Sequence, residues 1–257
     1  NLRRLNIANI EVVTSSAEDY LASCNEHFDW VYADPDRRTA EGRRVVRLED
    51  CSPNMIDLWP TIKRVSKRVA IKNSPLFDVD EAFRLFGACG VEVISLGGEC
   101  KEVNIYADGR EPMLAAEAVG RARVEYLRSE VDDTPCEGEF AAEEYGWLII
   151  PDVALQKARL AVHALREKAD IWSNNSFAFA RVEPKEVLGR VEQIERIEVF
   201  DIKQLKKSLK GRKVDIILRD FPMGVDEVRR KTGTKSGSEV RLALTKVNAK
   251  LYTIYLK

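Results

Sequence analysis

Along about the first hundred residues, short apolar runs alternate with stretches whose apolar positions fall three and four apart. Ile10-Glu11-Val12-Val13-Thr14 is β-branched and reads as a strand. Ser16 then offers an N-cap for a helix through residue 22, with Asp19 three residues on. Residues 28–33 (FDWVYA) predict a second strand that ends at Asp34-Pro35. Asn54 offers a cap for a helix to about residue 66, with Pro60 as a kink or a late start. Residues 68–72 (RVAIK) predict a third strand, and 78–89 a helix with Gly90 at the position after its C-cap. Residues 91–96 and 103–107 predict two further strands, joined closely enough through Gly97-Gly98-Glu99-Cys100 to run antiparallel. Alternating strands and helices predict an α/β domain with a mainly parallel sheet.

The pattern then weakens. Asp132-Asp133-Thr134-Pro135 and Glu137-Gly138 read as a linker within 108–144. Residues 146–150 (GWLII) predict a strand, with Pro151 where helix N-termini take proline. A helix over 153–168 follows, with apolar residues at 153, 154, 158, 160, 161 and 165, and then a strand over 177–182. The rest predicts a strand at 189–200, a helix at 202–210, a strand at 214–218, a helix at 225–231, and strands at 240–245 and 250–256. No internal repeat interrupts this order.

A chain of 257 residues has room for two compact domains or three small ones. No apolar run approaches the roughly 18 residues of a membrane span, which argues against a membrane protein. The net charge of −1 conceals an asymmetry. Residues 184–257 hold 18 basic and 10 acidic side chains, a net of +8, against −9 in the remainder. A basic tail on an acidic body suits phosphate contact, and equally suits a solvated charged face. Cys24, Cys51, Cys89, Cys100 and Cys136 show no CxxC spacing, and His27 and His163 sit in no metal motif. The expectation is reduced thiols in a cytoplasmic protein, with no zinc site and no disulfide framework. The start, Asn1-Leu2-Arg3-Arg4, shows no signal peptide, and Met55 is the first methionine. A fragment or processed form of a longer protein is the simplest expectation.

The segment richest in chemistry is Phe28-Asp29-Trp30-Val31-Tyr32-Ala33-Asp34-Pro35-Asp36-Arg37-Arg38. A hydrophobic strand delivers Asp-Pro at its carboxyl end, the edge where open parallel sheets bind ligands. On spacing alone, an ordinary Asp-Pro turn with surface arginines is the slightly better reading. Lys72-Asn73-Ser74-Pro75 reaches the same edge after the third strand, either to line a substrate or as a solvated turn. Two basic clusters follow: Lys203, Lys206, Lys207, Lys210, Arg212 and Lys213, then Arg229, Arg230, Lys231 and Lys235 around Thr232-Gly233 and Ser236-Gly237. Phe221-Pro222-Met223-Gly224 leads into the second, and reads as a helix start with a buried Phe221.

The order of strand, Ser-Ala-Glu-Asp-Tyr-Leu helix start and FDWVYADPDRR resembles the middle of class I S-adenosylmethionine (SAM)-dependent methyltransferases, whose RNA-acting members carry a DPPR-type motif there. The segments YGWLIIPDVALQKARLAVHAL, NNSFAFARVEP and FPMGVDEVRRKTGTKSGSEVRLALTKV resemble the bacterial THUMP-like methyltransferases. In that group a methyltransferase domain precedes a small ferredoxin-like unit and a THUMP-like domain. THUMP domains are RNA-binding modules of tRNA-modifying enzymes.

The resemblance implies a partial Rossmann-like methyltransferase sheet over 1–110, a connector over 111–144, a ferredoxin-like unit over 145–184 and a THUMP-like domain over 185–257. It implies SAM as cofactor, with Ser16, Ala17, Glu18, Asp34 and Pro35 on its side of the site. Asp34, and after it Asp36, would orient the acceptor. Arg37, Arg38, Lys206, Lys207, Lys210, Arg229, Arg230, Lys231 and Lys235 would contact RNA of the tRNA or rRNA class. No metal and no membrane is implied.

Two departures stand out. The chain has no GxGxG loop, and no glycine precedes Gly42, so the expectation is weak SAM binding by these 257 residues alone. The motif reads DPDRR, without the aromatic that stacks on a flipped base, and no cysteine lies in it. Three readings remain open at this point: the C-terminal portion of an RNA methyltransferase, a non-catalytic RNA-binding protein with a degenerate methyltransferase half, and a methyltransferase with a protein or small-molecule acceptor.

Overall fold

The computed structural model describes residues 3–5, 7–38 and 42–257; the first two residues, named above at the start of the chain, lie outside this set. Two compact units emerge. One runs to Cys89 and includes Asn104–Arg110; the other comprises Gly90–Val103 and Glu111–Lys257.

The first unit begins with α1 (Ala17–Ser23), β1 (Val31–Ala33), α2 (Met55–Val65), β2 (Val69–Asn73) and α3 (Val79–Phe86). Its helices start where short polar side chains cap them. The Ser16 hydroxyl accepts from the Asp19 N–H at 3.0 Å, and Asn54 Oδ1 accepts from Ile56 and Asp57 N–H at 3.0 and 3.1 Å. Asp78 caps α3 through the Asp80 N–H. Each cap contributes about 1 kcal/mol by satisfying donors the helix cannot. Met55, Ile62 and Val65 of α2 are buried, as are Val69 and Ile71 of β2 and Val79, Ala82 and Phe83 of α3. Pro60 lies inside α2.

Two expectations fail here. The run at residues 10–14 forms no strand, and Ile10, Val12 and Val13 stay exposed. β-Branched composition favours a strand only where a neighbour supplies the ladder, and none pairs with this run among the described residues. Gly87 at φ +64°, not Gly90, ends α3; Gly90 is buried at the start of the next strand.

That strand is β3 (Gly90–Leu96), which turns through Gly97 (φ +63°) and Gly98 (φ +82°) into β4 (Glu99–Ala107). Two successive positive φ values are the signature of a tight two-residue hairpin, and glycine adopts them without a Cβ clash. β5 (Met113–Ala118) and β6 (Ala122–Leu127) fall inside the expected connector. β1 and β2 are parallel, as are β3 and β5, while β5 and β6 are antiparallel.

The second unit continues with β7 (Trp147–Pro151), α4 (Val153–Lys157), α5 (Ala161–Leu165), β8 (Asp170–Ile171) and β9 (Ala178–Ala180). β10 (Gly189–Val199), α6 (Ile202–Leu209), β11 (Lys213–Arg219), α7 (Val225–Thr232), β12 (Lys235–Ser236), β13 (Val240–Val247) and β14 (Lys250–Leu256) complete it. Pro151 closes β7 rather than opening a helix, and Asp152 is the cap, accepting from the Ala154 N–H at 2.9 Å. The single helix expected over 153–168 breaks at Arg159, whose φ is +58°. Leu160 and Val162, just past the break, are both buried.

The strands of the expected ferredoxin-like and THUMP-like regions share one sheet of order β12-β11-β13-β14-β10-β7-β9-β8. β10 joins them, antiparallel to β14 on one side and to β7 on the other. Within it Phe140 meets Trp172, Phe179 and Tyr252 edge to face and stacks on Tyr145. Phe140 thus ties the end of the expected connector into the core.

Gly189 marks the tightest approach between strands. A Cβ there would lie 2.5 Å from the Ile150 carbonyl oxygen and 3.1 Å from Pro151 Cα. Both are backbone, and Gly189 pairs with Pro151 in the ladder. Gly189→Ala is expected to cost about 2 kcal/mol, read by urea denaturation; an unchanged midpoint would contradict this packing.

Candidate active-site edge and basic face

The parallel register of β1 and β2 pairs Ala33 with Ile71, so the next residues, Asp34 and Lys72, emerge side by side. Lys72 Nζ lies 3.0 Å from Asp34 Oδ2. Both are part-exposed, with the Asp34 side chain 42% accessible. Pro35 is buried and anchors the turn, while Asn73 is buried beneath the same edge. Asp34 is therefore a carboxylate held by a stiff turn and one cation, with Oδ1 left to accept from a ligand donor. The pairing with Lys72 depends on register, so neither strand's own sequence reveals it.

Asp36 accepts from the Arg38 N–H at 3.2 Å and bridges to Ser52 through its backbone. Arg37 is half-buried and Arg38 exposed. Burial pushes the Cys51 thiol up, and the nearby Arg37 charge only partly opposes it. A thiol shifted this way is a poor nucleophile; Cys100 is likewise raised, by burial.

Ser16, Ala17 and Glu18 are exposed at the start of α1. The Ser16 hydroxyl is engaged in capping. Glu18 has no ion-pair partner among the described residues, so its carboxylate is free to accept hydrogen bonds. No hydrogen bond or ion pair joins Ser16–Glu18 to Asp34 or Pro35 among the described residues. Val12 and Val13, just upstream of this helix, are exposed as well.

In the second unit, α6 and α7 pack together through Leu205, Leu209 and Val228. The last turn of α6 carries Lys206 and Lys207 and that of α7 carries Arg229, Arg230 and Lys231, which also suits the negative end of each helix dipole. The parallel register sets Lys213 beside Lys235, and Gly211 N–H donates to the Gly233 carbonyl at 2.8 Å. A Cβ at Gly237 would fall 2.7 Å from Lys213 Cβ. Glycine thus lets two sequence-distant basic turns merge into one face. Lys231 pairs with Glu227 at 2.8 Å, and Arg229 lies 3.8 Å from Asp226. Lys206, Lys207, Lys210, Arg230 and Lys235 are exposed and, among the described residues, have no ion-pair partner.

Free cysteines number five, of which Cys24, Cys51 and Cys89 are buried. No cluster of metal-ligating side chains occurs among the described residues. No helix among them is long and apolar enough to cross a membrane.

Residues 189–256 match the family described as THUMP domain-like. The chain is 28% identical over 232 residues to uncharacterised S-adenosylmethionine-dependent methyltransferases of two Mycobacterium tuberculosis strains, CDC 1551 and H37Rv. The alignment covers 85% of this chain and 60% of those proteins, so the chain spans three-fifths of the length of the relatives it matches. It also superposes on the crystal structure of a proposed methyltransferase from Porphyromonas gingivalis W83, with a TM-score of 0.72 and 22% identity, over 89% of this chain and 59% of that one. The resemblance to THUMP-like methyltransferases is borne out, and the fold is the α/β Rossmann-like one.

Proposed function

We propose that this chain is the C-terminal portion of a SAM-dependent methyltransferase that acts on RNA. The observation that carries the reading is Asp34 at the carboxyl end of β1, held by Pro35 and by Lys72 at 3.0 Å. The likeness to SAM-dependent methyltransferases over 85% of the chain supports it. The THUMP-like match and the merged basic face support the RNA acceptor.

SAM, when bound, supplies a methyl group on a sulfonium sulfur. Asp34 Oδ1 accepts a hydrogen bond from the acceptor's N–H or O–H and turns its lone pair toward the methyl. Orientation of this kind is the main contribution such a site makes. Glu18 would accept from the adenine amine, and the Ser16 hydroxyl stabilises the helix that would present it. Asp36 braces the turn through its bond to Arg38. Arg37 and Arg38 line the acceptor path, and the basic face on α6 and α7 grips the phosphates. The boundaries of the connector, the ferredoxin-like unit and the THUMP-like domain belong to the same proposal.

The test uses the longer protein of which this chain forms part, with methyl-labelled SAM and total bacterial RNA. Label released by ribonuclease and retained after protease is the expected result. Label in protein alone would move the acceptor class. No label, with RNA still bound, would favour a degenerate binding protein. Calorimetry of the 257-residue chain should give a SAM Kd above roughly 100 μM, or about −5.5 kcal/mol at most; micromolar binding would overturn the view that the cofactor loop is needed.

A further inference from the structure

A cleft of about 420 Å³ opens within the second unit, between the Gly97-Gly98 turn, the β5–β6 turn and the ends of β7, β10 and β11. Three arginines line it: Arg121, Arg190 and Arg219. Several other arginines of this unit meet carboxylates. Arg241 pairs with Glu192 at 2.7 Å, Arg181 with Asp170 at 2.8 Å, and Arg166 with Asp132 at 2.5 Å. The three in the cleft have no ion-pair partner among the described residues. Arg219 is half-buried, and its Nε is fully buried without a hydrogen-bond acceptor. Burial, and then the charge of Arg190, hold its guanidinium below the usual range, with Asp152 opposing. Asp152 is the one carboxylate lining the cleft, and its Oδ1 is taken by Ser95 Oγ at 2.6 Å and the Ala154 N–H at 2.9 Å.

A buried guanidinium donor without an acceptor, beside a second unpaired cation, is an arrangement that a bound anion would complete. We propose that this cleft binds a phosphate group, held by Arg219 and Arg190 and approached from the Arg121 side. The forked donors of two arginines match the oxygens of a phosphate better than a single carboxylate does. Gly97 and Gly98 both line the cleft, and a Cβ at either would meet nothing within 4 Å. The site is separate from the basic face of α6 and α7. Arg219 and Lys213 sit at opposite ends of the seven-residue β11, about 20 Å apart at roughly 3.3 Å per residue. The phosphate comes either from a polynucleotide backbone or from a free phosphate.

The test titrates the 257-residue chain with inorganic phosphate at constant ionic strength, and separately with a 12-mer oligouridylate. Phosphate is expected to raise the melting temperature of the wild type in a saturable way. Arg190→Gln, an exposed position, should weaken phosphate affinity at least tenfold, and Arg219→Gln should abolish the thermal response. Lys67→Gln, an exposed position of the first unit that does not line the cleft, should leave phosphate affinity unchanged. If the oligomer competes with phosphate and loses affinity in Arg190→Gln, the source is a backbone diester; if it does not compete, the source is a free phosphate. No phosphate response in the wild type, or equal affinity in wild type and Arg190→Gln, would overturn the proposal.

Discussion

Asp34→Ala is expected to lower kcat for methyl transfer by roughly a hundredfold to a thousandfold, the scale lost when an oriented acceptor loses its positioning or proton-accepting group. Stability should barely change. The Asp34 side chain is 42% exposed and its ion pair with Lys72 is at the surface, where such pairs contribute about 1 kcal/mol or less. The KM for SAM should move far less than kcat, because the proposed role of the carboxylate is on the acceptor. Lys72→Met should cost less than Asp34→Ala, since it loosens the carboxylate without removing it. Steady-state assays with denaturation controls check this; a variant that loses SAM affinity and retains kcat would assign Asp34 to the cofactor alone.

Reversing the charge at Lys206, Lys207, Lys210, Arg230 and Lys235 should weaken RNA binding by about a hundredfold or more at 50 mM salt. The five side chains are exposed and unpaired among the described residues, so the fold should survive. Each phosphate contact to single-stranded RNA contributes about 0.7 to the slope of log affinity against log salt, and the five together should lower it by roughly 3 to 4. Filter binding across a salt series reads both quantities. An unchanged slope would mean that this face is solvated and nothing more.

The parts of the fold that local chemistry dictates were legible in the sequence. Ser16 and Asn54 cap helices through side chains that a short window reveals. What depends on partners distant in sequence was not. Residues 10–14 have strand composition without a ladder, whereas Met113-Leu114-Ala115-Ala116 has weak strand propensity and pairs on both sides, with β3 and β6. Pro151 looked like a helix start because proline is favoured there, but its pairing with Gly189 makes it the end of β7.

The candidate sites divide the same way. Asp34-Pro35 and the basic runs were visible as motifs, while the closeness of Lys72 to Asp34 needed the β1–β2 register. That Lys213 and Lys235 adjoin needed the β11–β12 pairing. The arginine cleft left no local signal at all, because Arg121, Arg190 and Arg219 come from three separate segments.

The central claim is that one edge performs the chemistry and another face holds the RNA. Single-turnover methyl transfer in the longer protein, at saturating SAM and over a range of RNA concentrations, tests it most directly. Asp34→Ala should be slow at every RNA concentration, and the five-charge variant should regain the wild-type rate once RNA is saturating. Transfer by Asp34→Ala at the wild-type rate would contradict the account.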